Sequence, residues 1–372
     1  MSTVYSNPNP AYSPPILSDL TKTSARVKAK DESIETLRGI AILLVVVGHV
    51  AIEMLRLGLL GRDALLIHFT ESLSSIRMPL FTVISGYVYA LRPVRSGSEG
   101  KFIRGKLRRL VLPLVSVGLI TAFYFDYRAD GILLNEISGR LFEIFVLHAG
   151  HVWYLKALLW IILLIMVLDS SGAIDRMVPW GVVLGLTALA SMAIAGDHRD
   201  LIAFMAMGNA IYIAPFFVLG LGLRRFQREL QQRWLVWLAL GVLVVGFAYQ
   251  QVTMTWPVQV EPASLNAATW SPWTYADKLF IVALGFAGTL LLFLFRRPLP
   301  GMAFLGRYAY PIFLFHTISY YAGYLVCTKG LGIDQPVGVF VLMLIGGLFL
   351  PIAVYFVATQ NRWTRRLLLG AR

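Results

Sequence analysis

The sequence predicts an all-α polytopic membrane bundle of about ten helices around a polar cavity, and three observations carry that prediction. The first is composition. Of the 372 residues, 57% are hydrophobic and 14% are charged, with a mean hydropathy of +0.69. Soluble domains are about 45–50% apolar and about 25% charged, so the chain falls outside the soluble classes. The second is the length of the apolar runs, which approach the roughly 20 residues that a spanning helix needs. The third is the placement of Lys and Arg, which gather in alternate loops.

The spans are expected near 36–55, 73–91, 110–126, 151–169, 178–195, 202–222, 234–250, 278–295, 304–326 and 337–358. The second carries Pro79 and the pair Ser85-Gly86, which predicts a kink or a break. The sixth is the weakest, because Gly208, Asn209 and Pro215 interrupt it. Irregular backbone at membrane depth is tolerated where it is buried or lines a cavity. Segment 137–149 is amphipathic and too short to span, so it is expected along the surface.

Residues 1–33 are polar, rich in Pro and Ser, and basic toward their end. They lack the apolar core of a signal peptide and read as a disordered tail. The expected organisation is therefore a tail over 1–33, a transmembrane domain over 34–360 and a basic tail over 361–372. The single Cys327 has no partner for an internal disulfide.

The net charge of +13 raises nucleic acid as a partner, but its distribution argues against it. With the amino terminus in the cytoplasm, segments 1–38, 92–109, 169–178, 223–233, 296–307 and 359–372 lie inside. They hold 24 of the 33 basic residues. Loop 251–276 has no Lys or Arg. The charge is thus mainly a topology signal for a plasma (inner) membrane protein with both termini cytoplasmic.

Arg38 and His49 are the pair most suggestive of chemistry. Eleven residues of α-helix turn through about 1100°, which leaves the two side chains about 20° apart on one face and about 16 Å apart along the axis. One is a fixed cation near a membrane surface and the other a titratable imidazole near the midplane. Ionisable groups at that depth are costly and usually face a bundle interior. Glu53 lies one turn after His49 and could orient the ring; Glu35 lies three before Arg38 and could pair with it. Two readings of His49 stay open at this point, a general base and a satisfied polar group.

Several pieces of the chain share a pattern. IETLRGIAILLVVVGHV resembles the first helix of the membrane acyltransferase-3 family, marked by Arg or Lys, ten residues, then His. RMPLFTVISGYVYAL (77–91), KFIRGKLRRLVLPL (101–114), HVWYLKALL (151–159) and LGRYAYPIFLFH (305–316) are similar to later family segments, in the same order. The likeness spans most of 34–360. Two departures stand out. Arg77 occupies the position before Met-Pro where many members have His, and the family's paired arginines appear as Lys106 and Arg109, with Arg104 and Arg108 beside them.

The resemblance implies O-acylation, commonly of a cell-envelope carbohydrate or glycolipid, with acetyl-CoA or another acyl-CoA as co-substrate and no tightly bound cofactor. It implies His49 as general base, with Arg38 and Glu53 beside it. Arg109, Lys106, Arg104 and Arg77 are candidates for the donor, and His151, Trp153 and Ser85 for the acceptor. An acyl-enzyme at His49 or Ser85 is an alternative to direct transfer. Each candidate has a structural reading too: the basic cluster could serve topology alone, Arg77 could be an interfacial anchor, and Trp153 could belong to an aromatic belt. His316 reads as a packing residue. The aromatic residues Trp256, Trp270, Trp273 and Tyr275 could meet sugar rings or anchor at the interface. No HExxH, cysteine cluster or Walker sequence is present, so neither a metal nor a nucleotide fold is expected. The rival class is a transporter or flippase of an envelope glycoconjugate; a sensor or scaffold is a third.

Overall fold

A computed structural model describes residues 31–371, apart from 95, 129–133, 148–149, 196–202 and 254–273. The expectations for 1–30 and for most of loop 251–276, including Trp256, Trp270 and Trp273, fall outside the described residues.

The described chain is helical. Its longer elements are α1 (Glu32–Arg56), α2 (Leu65–Ser72), α3 (Ser74–Ala90), α4 (Glu99–Arg128), α5 (Leu134–Phe145), α6 (Trp153–Ser170), α7 (Met177–Ile194), α8 (Met207–Arg225), α9 (Gln227–Leu230), α10 (Arg233–Thr253), α11 (Tyr275–Leu294), α12 (Pro300–Arg307), α13 (Ala309–Leu325), α14 (Pro336–Gln360) and α15 (Arg362–Leu369). Among the described residues, eight helices are long and apolar enough to cross a membrane. Two shorter helices of 17 residues, α3 and α13, fill the remaining expected positions. The protein is an all-α polytopic bundle.

Burial separates an inner group of helices from an outer one. In α8, 67% of the span is buried; in α7 and α10 the figures are 11% and 17%. α7 and α10 turn Val178, Val182, Leu186, Trp237 and Val244 outward, as lipid-facing surfaces require. The close approach of inner helices depends on small residues. Gly86 of α3 lies against the Phe217 carbonyl, and Gly220 of α8 against the Val83 carbonyl, so a Cβ at either would collide with backbone. α12 packs along the start of α1 in the same way, through Gly39 and Gly306.

Two expectations about irregular helices are revised. α3 runs unbroken through Pro79. Pro79 leaves the Ser75 carbonyl without its intrahelical donor, and that carbonyl lies against Gly285 of α11. α8 is also unbroken through Pro215 but begins later than expected, after a turn at Phe204–Ala206 in which Met205 and Ala206 have positive φ. The span expected over 304–326 divides into α12 and α13 at Tyr308. The ring of Pro311 conflicts with a helical carbonyl at Arg307, four residues earlier.

The amphipathic segment forms α5. A fully buried lysine meets its end and the turn that follows: Lys156 Nζ donates to the Ile144 carbonyl of α5 at 2.6 Å and to the Leu147 carbonyl just beyond it. Helix ends leave such carbonyls without intrahelical partners, and a C-terminal cation suits them. The segment read as a basic tail contains α15, which docks on α4.

Candidate active site

Four elements bring the site together. α1 supplies His49, α3 supplies Arg77, the turn before α6 supplies His151, and α13 supplies His316. The His49 and His316 rings meet edge to face, with centroids 5.0 Å apart; His316 and His151 do the same at 5.3 Å. Three imidazoles that lie far apart in sequence thus form one chain of rings inside the bundle.

Hydrogen bonds set the chemistry of each ring. His49 Nδ1 lies 2.9 Å from the Val45 carbonyl. A carbonyl can only accept, so Nδ1 carries the hydrogen and Nε2 keeps a basic lone pair. His316 Nδ1 faces the Phe313 and Ile312 carbonyls at 2.9 and 3.1 Å, which assigns the same tautomer. Its Nε2 is buried and has no hydrogen-bond partner among the described residues. His151 is the other tautomer: Nε2 donates to the Leu314 carbonyl at 2.9 Å, and Nδ1 lies 3.3 Å from Thr317 Oγ1. Both nitrogens of His151 are engaged with α13, so it braces that helix beside the other two rings.

Arg77 is buried at 5% exposure, not spread at an interface. Its guanidinium lies against Gly48, where a methyl group would collide with Nη1. The residue preceding His49 is therefore small because an arginine from α3 occupies the space. Glu71, buried on α2, is the carboxylate that acts on Arg77 electrostatically. Arg77 Nη1 is nevertheless buried without a hydrogen-bond partner among the described residues. A donor so placed is suited to oxygen that gains charge during a reaction.

The other expected residues are placed as follows. Arg38 pairs with Glu35 at 3.0 Å and keeps 31% of its side chain exposed. Glu53 is buried on α1 and lies 3.8 Å from Arg56; the orienting contact at His49 Nδ1 comes from the Val45 carbonyl. Ser85 donates to the Phe81 carbonyl at 2.9 Å and lies 3.2 Å from Tyr154 Oη. Its proton is thus committed to the helix backbone. The Trp153 ring packs edge-on against Tyr154, with centroids 5.9 Å apart.

At the Arg38 end of α1 lies a second feature, a cavity of about 530 Å³. Lys106, Arg108 and Arg109 of α4 line it, together with Arg307 of α12 and Arg365 of α15. Arg104 is on the same helix but outside the lining. Tyr310 Oη donates to the Arg109 carbonyl at 2.7 Å and fixes one wall. Arg307 lies 3.6 Å from Glu32, which ties the cavity to the first turn of α1. About 16 Å of helix separates that end from His49.

A family model described as an acyltransferase domain matches residues 31–356. The chain belongs to the acyltransferase-3 family. It is a multi-pass membrane acyltransferase of the O-acyltransferase class. No curated protein and no solved structure matches the chain. Within this acyltransferase, the sequence brought His49, Arg77 and His151 forward but left His316 among packing residues. Its partners on α1 and before α6 become visible only when the helices are packed. Among the described residues, no group of His, Cys, Asp and Glu is arranged to hold a metal ion.

Proposed function

We propose that the protein transfers an acyl group, acetyl in the simplest case, from acyl-CoA to a hydroxyl of a cell-envelope carbohydrate or glycolipid. One observation supports this above the others: the Nε2 lone pair of His49 and the unpartnered Nη1 of Arg77 come from facing helices at adjoining positions. A base and an oxyanion donor are the two groups that acyl transfer to a hydroxyl requires.

In the proposed step His49 Nε2 takes the proton of the acceptor hydroxyl. The hydroxyl oxygen attacks the thioester carbonyl, and Arg77 Nη1 stabilises the negative charge on the carbonyl oxygen. The carbon–sulfur bond then breaks, and His49 returns the proton to the departing thiolate. The products are an ester and free CoA. Arg38, paired with Glu35, positions the donor along α1. His316 supports the His49 ring through its edge-on contact and keeps a second basic nitrogen within the ring cluster. Direct transfer is preferred over an acyl-Ser85 route because the Ser85 hydroxyl is bonded to the Phe81 carbonyl.

Donor entry is assigned to the cytoplasmic side, with the termini inside and loop 251–276 outside. The lopsided distribution of 24 basic residues supports that orientation. An impermeant thiol reagent is expected to label Ser264→Cys but not Tyr5→Cys in intact cells; the reverse pattern would invert the topology.

The activity itself is tested with membranes holding the full chain and radiolabelled acetyl-CoA. Label should pass to an envelope carbohydrate fraction with the wild type and not with His49→Ala. Movement of an unmodified glycoconjugate across the bilayer, with no label transferred by the wild type, would favour a transporter and sink the proposal.

A further inference from the structure

The basic cavity is completed by residues beyond the matched domain. The family match ends at residue 356, whereas α15 begins at Arg362. α15 and the residue that caps it are tied to α4 by two hydrogen bonds, and its last residue is buried. Ser116 Oγ donates to the Leu367 carbonyl at 2.8 Å, Arg108 Nε donates to the Gly370 carbonyl at 3.3 Å, and Leu369 is buried. Gly370 has φ of 59° and lies so close to the Arg108 carbonyl and Arg109 Cα that a Cβ would stand 2.6 and 2.7 Å from them. Only glycine satisfies both the left-handed backbone and that approach.

The docked helix brings Arg365 into the cavity. Its Nε is buried and has no hydrogen-bond partner among the described residues. With Lys106, Arg108, Arg109 and Arg307, five cations line one cavity, and no carboxylate is among the lining residues. Topology alone needs basic residues on one side of the membrane; it does not need them to converge on a walled cavity from three separate helices. Such a set matches a ligand with several phosphate oxygens, which guanidinium groups hold through paired, charge-assisted bonds.

We propose that α15 is a working part of the donor site, in which Arg365 closes the cavity over the phosphate groups of a CoA-type nucleotide. This rests on the acyl-CoA reading and extends it to a helix outside the matched domain. It also makes a distinction between two sources of phosphate. A nucleotide brings several phosphates on one soluble molecule, whereas a simple anionic glycerophospholipid such as phosphatidylglycerol presents one from the bilayer.

The test measures CoA binding to the full chain in nanodiscs of zwitterionic lipid, by calorimetry. Arg365→Gln is expected to weaken CoA binding roughly tenfold, in keeping with the loss of a charge-assisted pair. Gly370→Val, which lifts the end of α15 from α4, should weaken it at least as much. Arg362→Gln removes the same charge from the same helix but outside the cavity, and should bind as the wild type does. Dephospho-CoA should bind more weakly than CoA to the wild type, and the gap should narrow in Arg365→Gln. Unchanged CoA affinity in folded Arg365→Gln would overturn the role of α15 while leaving acyl transfer itself standing. Loss of retained anionic phospholipid in Arg365→Gln, with CoA affinity intact, would assign the cavity to a lipid headgroup and overturn the proposal. Absence of CoA binding by a wild type that still transfers acetyl from another donor would remove both the proposal and the acyl-CoA reading.

Discussion

The two ends of α1 solve opposite problems. Around His49 the surroundings are buried, and single positions decide the chemistry: one carbonyl assigns the tautomer, and one glycine admits Arg77. Around Arg38 the surroundings are more open, and charge is spread over five side chains from α4, α12 and α15. The first end resembles a mechanism in which a small displacement is costly, because reacting groups must be held within tight limits. The second resembles an electrostatic basin, in which each cation contributes a share. The difference teaches where substitutions should act on turnover and where they should act on donor affinity.

The sharpest way to break this comparison is His49→Ala. It is expected to lower turnover by about 100- to 10,000-fold, the range for loss of a general base, with folded protein retained. Normal turnover per folded molecule would falsify the assignment of His49. Removal of a purely structural polar group would instead reduce the amount of folded protein, because its partner is left unpaired.

Next in size is Gly48→Ala. The added methyl would stand 1.8 Å from Arg77 Nη1 and so displaces it, while every imidazole keeps its own side chain. Loss of an oxyanion donor costs on the order of 100- to 1,000-fold in rate, so turnover should fall by about that much while the acyl-CoA KM stays near the wild-type value. A change confined to KM would place Arg77 in donor binding. Arg77→Gln should reproduce the turnover effect in a chain whose α1 backbone is unaltered.

The basic end should answer differently. Arg109→Ala is expected to raise the acyl-CoA KM by roughly tenfold to a hundredfold, from the loss of about 1.5–3 kcal/mol of charge-assisted bonding. Lys106→Ala should do the same to a smaller degree. Flat KM values in both would return the cluster to topology alone. The smallest effect is expected from Glu53→Gln. Turnover should fall modestly with donor KM unchanged; no change in either would separate Glu53 from the imidazole.

Much of this architecture was legible in the sequence because bilayer physics imposes it. Apolar runs of fixed length and alternating basic loops are read directly, and the ten long helices among the described residues lie at or near the expected positions. Helix ends were less legible where proline acts at a distance: the division at Tyr308 follows from a clash between Pro311 and a carbonyl four residues back. The pairing of Arg38 with Glu35 was readable from helical periodicity. The meeting of His49, His316 and His151 was not, since the approach of α13 to α1 is a tertiary fact. A small signal existed in Gly48, which sits beside His49 where a side chain would otherwise be expected. Arg365 was hidden for another reason: the twelve residues 361–372, after a long span, read as a tail. The sequence RRLLLG does carry a helix end, with three leucines followed by the glycine that the docked conformation needs.

Lys156 carries a consequence for how the chain is built. A lysine in an inserting helix costs about 2.5–3.5 kcal/mol at the centre on translocon scales and less toward an end; Lys156 lies in the first turn of α6, where it is nonetheless fully buried. Its two carbonyl partners, Ile144 and Leu147, lie only 12 and 9 residues earlier. They leave the ribosome before Lys156 does, so the ammonium can be satisfied as soon as α6 enters the lipid. α5 and the turn after it thus offer the Lys156 ammonium partners from its own neighbourhood in the chain, independent of the distant helices.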